Sequence, residues 1–122
     1  MKYLKKNRKF KVGLKKDIAI YDKGKIQLEN NEMISLISSK TKDHDICKKA
    51  FGYYLSPSIN RRVLQNGFKL ALVKNYNDDF YLFLVEKTKI NIFKKYLKKE
   101  NNYLVTWLEY KQLKKIEGNI KK

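Results

Sequence analysis

The chain has 122 residues and a formal net charge of +17, with 43% of its side chains aliphatic, aromatic or sulfur-bearing. That length suits a single domain with one core, and the apolar residues recur too periodically for a disordered chain. The longest apolar run, Phe80 to Val85, is far short of the roughly 20 residues of a membrane-spanning helix. No secretory apolar stretch follows the basic start, and Cys47, the only cysteine, excludes an intramolecular disulfide and a multi-thiolate zinc site, so a reducing, cytoplasmic setting is expected.

Residues 1–8 read as a basic arm, either mobile or a weak first strand continuing into Phe10 and Val12. Asp17 to Tyr21 alternates with Ile18 and Ile20 on one side. Asp22-Lys23-Gly24 then supplies a turn, and Ile26 and Leu28 resume the alternation, which predicts a hairpin. Asn30-Asn31-Glu32 marks a second turn before a strand at Met33 to Ile37, and His44 to Lys48 forms another short strand after a polar link. The stretch 9–48 is therefore mostly β.

Leu55-Ser56-Pro57-Ser58 looks like a helix start, with Ser56 as cap and Pro57 in the first turn; Asn66-Gly67 is the matching stop. The predicted helix spans 57–66, with Ile59, Val63 and Leu64 on one side. Phe68 to Lys74 and Phe80 to Glu86 read as strands of a hairpin, the second apolar on both faces and so expected at a sheet centre. A helix over 89–99 turns Ile90, Phe93, Tyr96 and Leu97 inward and Lys94, Lys95 and Lys98 outward. Tyr103 to Leu108 returns as a strand, and 109–122 reads as a basic tail. The expected fold is α+β: an N-terminal β-meander followed, from about His44 onward and through the α/β core at 49–108, by a ferredoxin-like βαββαβ unit, an antiparallel sheet with two helices; the meander either extends that sheet or forms a small second one.

The charge is unevenly placed. Residues 1–16 hold eight basic and no acidic residues, 87–99 six and none, and 109–122 five against two; the rest is balanced. Were the three segments to converge, they would form a basic face. The 29 basic residues include only 3 Arg, and the richness in Lys, Asn and Ile also fits AT-rich coding. Lysine neutralises phosphate as a point charge, whereas arginine is the bidentate reader of phosphate and guanine.

Two groups of residues are candidate binding sites. At the helix start, Ser56, Ser58, Arg61 and Arg62, walled by Tyr53 and Tyr54, could receive a phosphate or carboxylate; the plain alternative is serines that satisfy their own backbone. Lys94, Lys95 and Lys98 could track a nucleic-acid backbone or form a solvated face. Asp43, His44, Asp45 and Cys47 raise a nucleophile or metal reading, but on a strand His44 and Cys47 point to opposite faces, so Cys47 reads as structural. Asp78 and Asp79 read as turn formers. No catalytic residue, metal or cofactor emerges.

Asp22-Lys23-Gly24-Lys25-Ile26-Gln27-Leu28 resembles the D-x-G-R-[IV]-x-[IL] hairpin of AbrB-type DNA-binding antitoxin domains, with Glu29 where a Pro usually follows. Phe51-Gly52-Tyr53-Tyr54, Ser56 to Asn60, Gly67-Phe68, Leu72 to Asn75 and Leu84-Val85-Glu86 resemble small bacterial proteins encoded among surface-polysaccharide genes. That likeness covers the last two-thirds of the chain and implies a context, with no activity and no assigned residues. The expected function is a non-enzymatic binding or accessory domain with an anionic partner, nucleic acid or a phosphate-bearing ligand. The alternative is an accessory protein of surface-polysaccharide metabolism that binds a protein or sugar nucleotide.

Overall fold

The computed structural model describes residues 1–120, so the last two residues of the expected basic tail lie outside it. The fold is α+β, with mostly antiparallel strands. It forms two compact units, one made of Met1–Ser35 with Asp45–Ser56, the other of Leu36–His44 with the chain from Pro57 onward. No helix among the described residues is long and apolar enough to cross a membrane.

In the first unit, β1 (Lys2–Val12) and β2 (Ile18–Gln27) pair antiparallel as a two-stranded sheet. The expected basic arm is thus a full strand. The hairpin turns at 13–17, where the Lys16 amide donates to the Gly13 carbonyl at 3.1 Å. Asp22-Lys23-Gly24, expected to be that turn, lies inside β2 opposite a β-bulge: Lys5 pairs with Gly24 and Arg8 with Asp22, leaving two residues of β1 against one of β2. Gly24 has φ +138°, and a Cβ there would lie 2.3 Å from the Leu4 carbonyl oxygen, so this glycine serves a close strand approach.

Strands β3 (Met33–Ser39), β4 (Lys42–Lys49) and β5 (Gly52–Leu55) form a second sheet in that order. The turn at Asn30-Asn31 is present, closed by the Glu32 amide donating to the Glu29 carbonyl and the Glu29 amide donating to the Glu32 carboxylate at 2.7 Å. The expected meander is therefore replaced by a separate ribbon and a three-stranded sheet.

The second unit is built on β6 (Phe68–Lys74), flanked by β7 (Phe80–Glu86) and β8 (Tyr103–Trp107) in the order β7-β6-β8, both pairs antiparallel. The β6–β7 hairpin appears at its expected limits, with Asp78 in the left-handed conformation in its loop. Helix α2 (Ile90–Lys99) packs Phe93 and Leu97 against Ala71, Val73 and Val85, with Phe83, Ile90, Leu104 and Trp107 completing the cluster. The Phe93 ring sits 5.6 Å from Phe83 and 5.7 Å from Trp107, spacings at which tilted rings attract. Asn101, at φ 56°, ends α2, and the Asn102 amide donates back to the Leu97 carbonyl at 2.8 Å.

Four expectations are corrected here. The element order strand, helix, strand, strand, helix, strand does occur from β4 onward, but β4 pairs in the β3-β4-β5 sheet and β8 pairs directly with β6, so these strands do not build a ferredoxin-like sheet. β7 is an edge strand, with Phe80, Tyr81 and Leu82 each about half exposed or more; the centre is β6. The helix expected at 57–66 shrinks to one turn, α1 (Arg62–Gln65). The basic tail contains a helix, α3 (Tyr110–Ile120), on which Leu113, Ile116 and Ile120 recur at helical spacing.

Two neighbouring apolar positions should respond very differently to truncation. Phe93→Ala empties the aromatic cluster and should cost about 3–5 kcal/mol. Leu82→Ala, on the exposed half of β7, should stay within about 0.5 kcal/mol. Urea unfolding of the two variants checks both.

Candidate functional site

The expected anion site at the helix start does not assemble as a helix N-terminus. The Ser56 amide donates to the Asp45 carbonyl at 2.9 Å, extending the β4–β5 ladder rather than starting a helix. Pro57 is fully buried and precedes the helical turn by several residues. Arg61 precedes α1 without a side-chain cap, and Ser58 binds from further back: its Oγ accepts from the Arg62 amide at 3.2 Å, and its carbonyl accepts from the Val63 amide at 3.0 Å. Its hydroxyl therefore serves the backbone, and a single turn has too few aligned peptides for a strong dipole. Arg61 and Arg62 are exposed beside it. Tyr53 and Tyr54 lie on β5 of the first unit, Tyr53 under the Lys48 ammonium at 5.3 Å and Tyr54 opposite Cys47.

On α2, Lys94, Lys95 and Lys98 are exposed as expected, while Tyr96 keeps over a third of its surface in solvent. His44 and Cys47 are buried on β4. Among the described residues, no group of three or more His, Cys, Asp or Glu side chains is placed to hold a metal ion.

The feature that sequence reading missed is the β1–β2 ribbon. Between Lys2 and Gln27 the chain carries ten basic against two acidic residues, close to half of the net charge. Pairing sorts them. Near the hairpin end Lys9 faces Tyr21 and Lys11 faces Ala19 on one side, while Arg8, Phe10 and Val12 face Asp22, Ile20 and Ile18 on the other. Beyond the bulge, the alternation of β2 puts Lys25 and Gln27 on the same side as Lys23 and Tyr21, and Lys2 pairs there with Gln27. One face thus carries Lys2, Lys9, Lys11, Lys23 and Lys25 with Leu4, Ala19 and Tyr21, the Lys9 ammonium lying 5.5 Å above the Tyr21 ring. The other holds Tyr3, Phe10 and Val12 against Ile26, Ile20 and Ile18, together with Lys5, Lys6 beside Asp22, and Arg8, whose guanidinium lies 4.7 Å from the Phe10 ring centre.

Asp22 organises the bulge. Its Oδ1 accepts from the Gly24 amide at 3.1 Å, and Oδ2 meets Arg8 at 3.3 Å and Lys6 at 3.8 Å. The Gly24 amide first, then Lys6 and Arg8, hold the Asp22 carboxyl below its ordinary value, against an opposing desolvation effect. The signal in the sequence was the absence of any acidic residue across β1, met by one aspartate two places before a glycine.

Comparison with known proteins returned no matching family model, no matching curated protein and no matching solved structure, so function rests on these residues.

Two outcomes follow. A depressed carboxyl contributes fully above its unfolded value and loses that contribution as pH falls through the lower, folded value. Amide shifts of Gly24 and Arg8 should therefore pass through a transition below 3.8, the ordinary Asp value, and Asp22→Asn should abolish it. Cys47→Ala should cost about 1 kcal/mol of stability and leave ligand binding unchanged, and in the parent protein the buried thiol should react with alkylating reagents only on unfolding.

Proposed function

We propose that the protein is a non-enzymatic nucleic-acid-binding domain whose β1–β2 ribbon lies along the phosphate backbone. The observation that carries this reading is the excess of lysine on one face of the ribbon, where Lys2, Lys9, Lys11, Lys23 and Lys25 surround Tyr21, while Lys5, Lys6 and Arg8 on the other face lie beside the one aspartate of the strand pair. A strand of this length runs about 30–35 Å at roughly 3.3 Å per residue, close to one turn of duplex DNA, and the major groove admits a two-stranded ribbon. Binding would gain chiefly from release of condensed counterions.

The same residues imply poor sequence discrimination. Lysine reads charge, and the ribbon's one arginine, Arg8, is engaged by Asp22 and Phe10 on the opposite face. The sugar-nucleotide alternative loses its main support with the helix start, because Ser58 is occupied by backbone and α1 is a single turn.

Replacement of Lys9, Lys11, Lys23 and Lys25 by Gln should weaken binding to both duplex DNA and single-stranded RNA. On a log–log salt plot the slope should flatten by up to four contacts' worth, roughly 0.7–0.9 each. Gln at Lys94, Lys95 and Lys98 removes a similar charge from α2 and should flatten it less. Equal slopes for the ribbon variant and the parent, measured by fluorescence anisotropy, would refute the assignment.

A further inference from the structure

The second unit carries an open strand edge beside an apolar groove, and neither feature is used by the ribbon. β7 pairs with β6 on one side and with no strand among the described residues on the other. Its hydrogen-bond register is fixed at both ends, by the Asn75 amide donating to Asp79 and the Lys87 amide donating to Gly67. Antiparallel alternation then turns the backbone groups of Tyr81, Phe83 and Val85 toward β6 and those of Phe80, Leu82, Leu84 and Glu86 outward. The outward groups form a template for one more strand.

Along that edge runs a groove of about 340 Å³ between β7 and α2, lined by Phe83, Val85, Ile92, Phe93 and Tyr96 and open to solvent. Ile92, 66% exposed, stands on the outer wall of this groove rather than in the core. The groove's one carboxylate, Glu86, is already met by Lys42 at 3.7 Å and Lys89 at 3.4 Å. Helical spacing places Lys95 and Lys99 beside Ile92 and Tyr96, on the groove side of α2, and Lys94 and Lys98 on the far flank.

We propose that the open edge of β7, with its groove against α2, receives an extended acidic-and-apolar segment of a protein partner as an added strand. Main-chain bonds to the outward groups supply affinity, and alternate apolar side chains enter the groove over Ile92 and Phe83. Charge selects the occupant. A second copy paired through β7 would set one lysine-bearing α2 near another, a like-charge arrangement that disfavours self-association, whereas acidic residues flanking an apolar strand meet Lys95 beside Ile92 and the net positive charge of α2. This inference does not depend on the ribbon's binding of nucleic acid.

The test uses the whole chain and a labelled peptide of about ten residues, with an isoleucine and valine centre between glutamates and aspartates. Two control peptides carry lysines in place of the acids or a proline at the centre. The acidic peptide should bind, the controls should not, and the outward amides of Phe80, Leu82, Leu84 and Glu86 should gain hydrogen-exchange protection. Ile92→Glu, at an exposed helix position, should weaken binding about tenfold or more, while the Gln ribbon variant should bind the peptide with little change. Equal binding of the proline peptide, perturbation confined to the β1–β2 ribbon, or dimers of the chain alone protected at β7 would each overturn the proposal.

Discussion

The second unit depends on β6 being satisfied on all four sides. Its backbone is bonded to β7 along one edge and to β8 along the other, Ala71 and Val73 are wholly buried toward α2, and Phe68 and Leu70 are buried on the opposite face. A central strand must be apolar on both faces and free of proline, because every N–H is committed to the ladder. Those requirements are met by the seven residues FKLALVK, with Lys69 bound through its charge to Glu109 at 2.6 Å and lying 4.4 Å over the Trp107 ring. Around that strand everything else is peripheral: α2 covers one face, and β7 can leave its own outer edge open because the core does not need it.

The two units divide the chemistry of the chain. Ribbon β1–β2 concentrates charge and leaves its apolar residues partly exposed; the β7-β6-β8 sheet concentrates burial and pairs its central Lys69 with Glu109. This explains why overall composition is a weak guide here. The excess of lysine is one number in the composition and two distinct arrangements in space: a paired row on strands, and the solvent side of a helix beside an apolar groove.

What could be read in advance follows the same division. The β6–β7 hairpin, α2 and β8 were legible because their periods are unambiguous, with Asn and Asp in the hairpin loop and apolar residues at helical spacing among the lysines of α2. The ribbon was not, since Asp22-Lys23-Gly24 has turn chemistry, and only pairing with a strand twenty residues earlier reveals its use in a bulge. Apolarity on both faces suggested that β7 was central, yet an edge strand beside a groove has the same sequence. At the candidate anion site, Ser-Pro-Ser has capping chemistry, but the Ser56 amide is used by the β4–β5 ladder, Ser58 binds the Arg62 amide from outside the helix, and α1 lasts one turn with no side-chain cap. α3 was hidden by its lysines, which drew attention to charge instead of the spacing of Leu113, Ile116 and Ile120.

The bulge at Lys6-Asn7 has a geometric result that reaches the whole ribbon. In an unbroken strand Lys2 would share a side with Phe10 and Val12, and Tyr3 with Lys9 and Lys11, because residues of equal parity point the same way. The extra residue exchanges these assignments: Lys2 and Leu4 join the side of Lys9 and Lys11, and Tyr3 and Lys5 join that of Phe10 and Val12. The defect is held by Asp22 and by the missing methyl at Gly24, where the Leu4 carbonyl leaves no room. Which side each of residues 2–5 faces is thus set at a bulge held by Asp22 and Gly24. A substitution at Gly24 would scramble the two faces of the ribbon without altering a single charge.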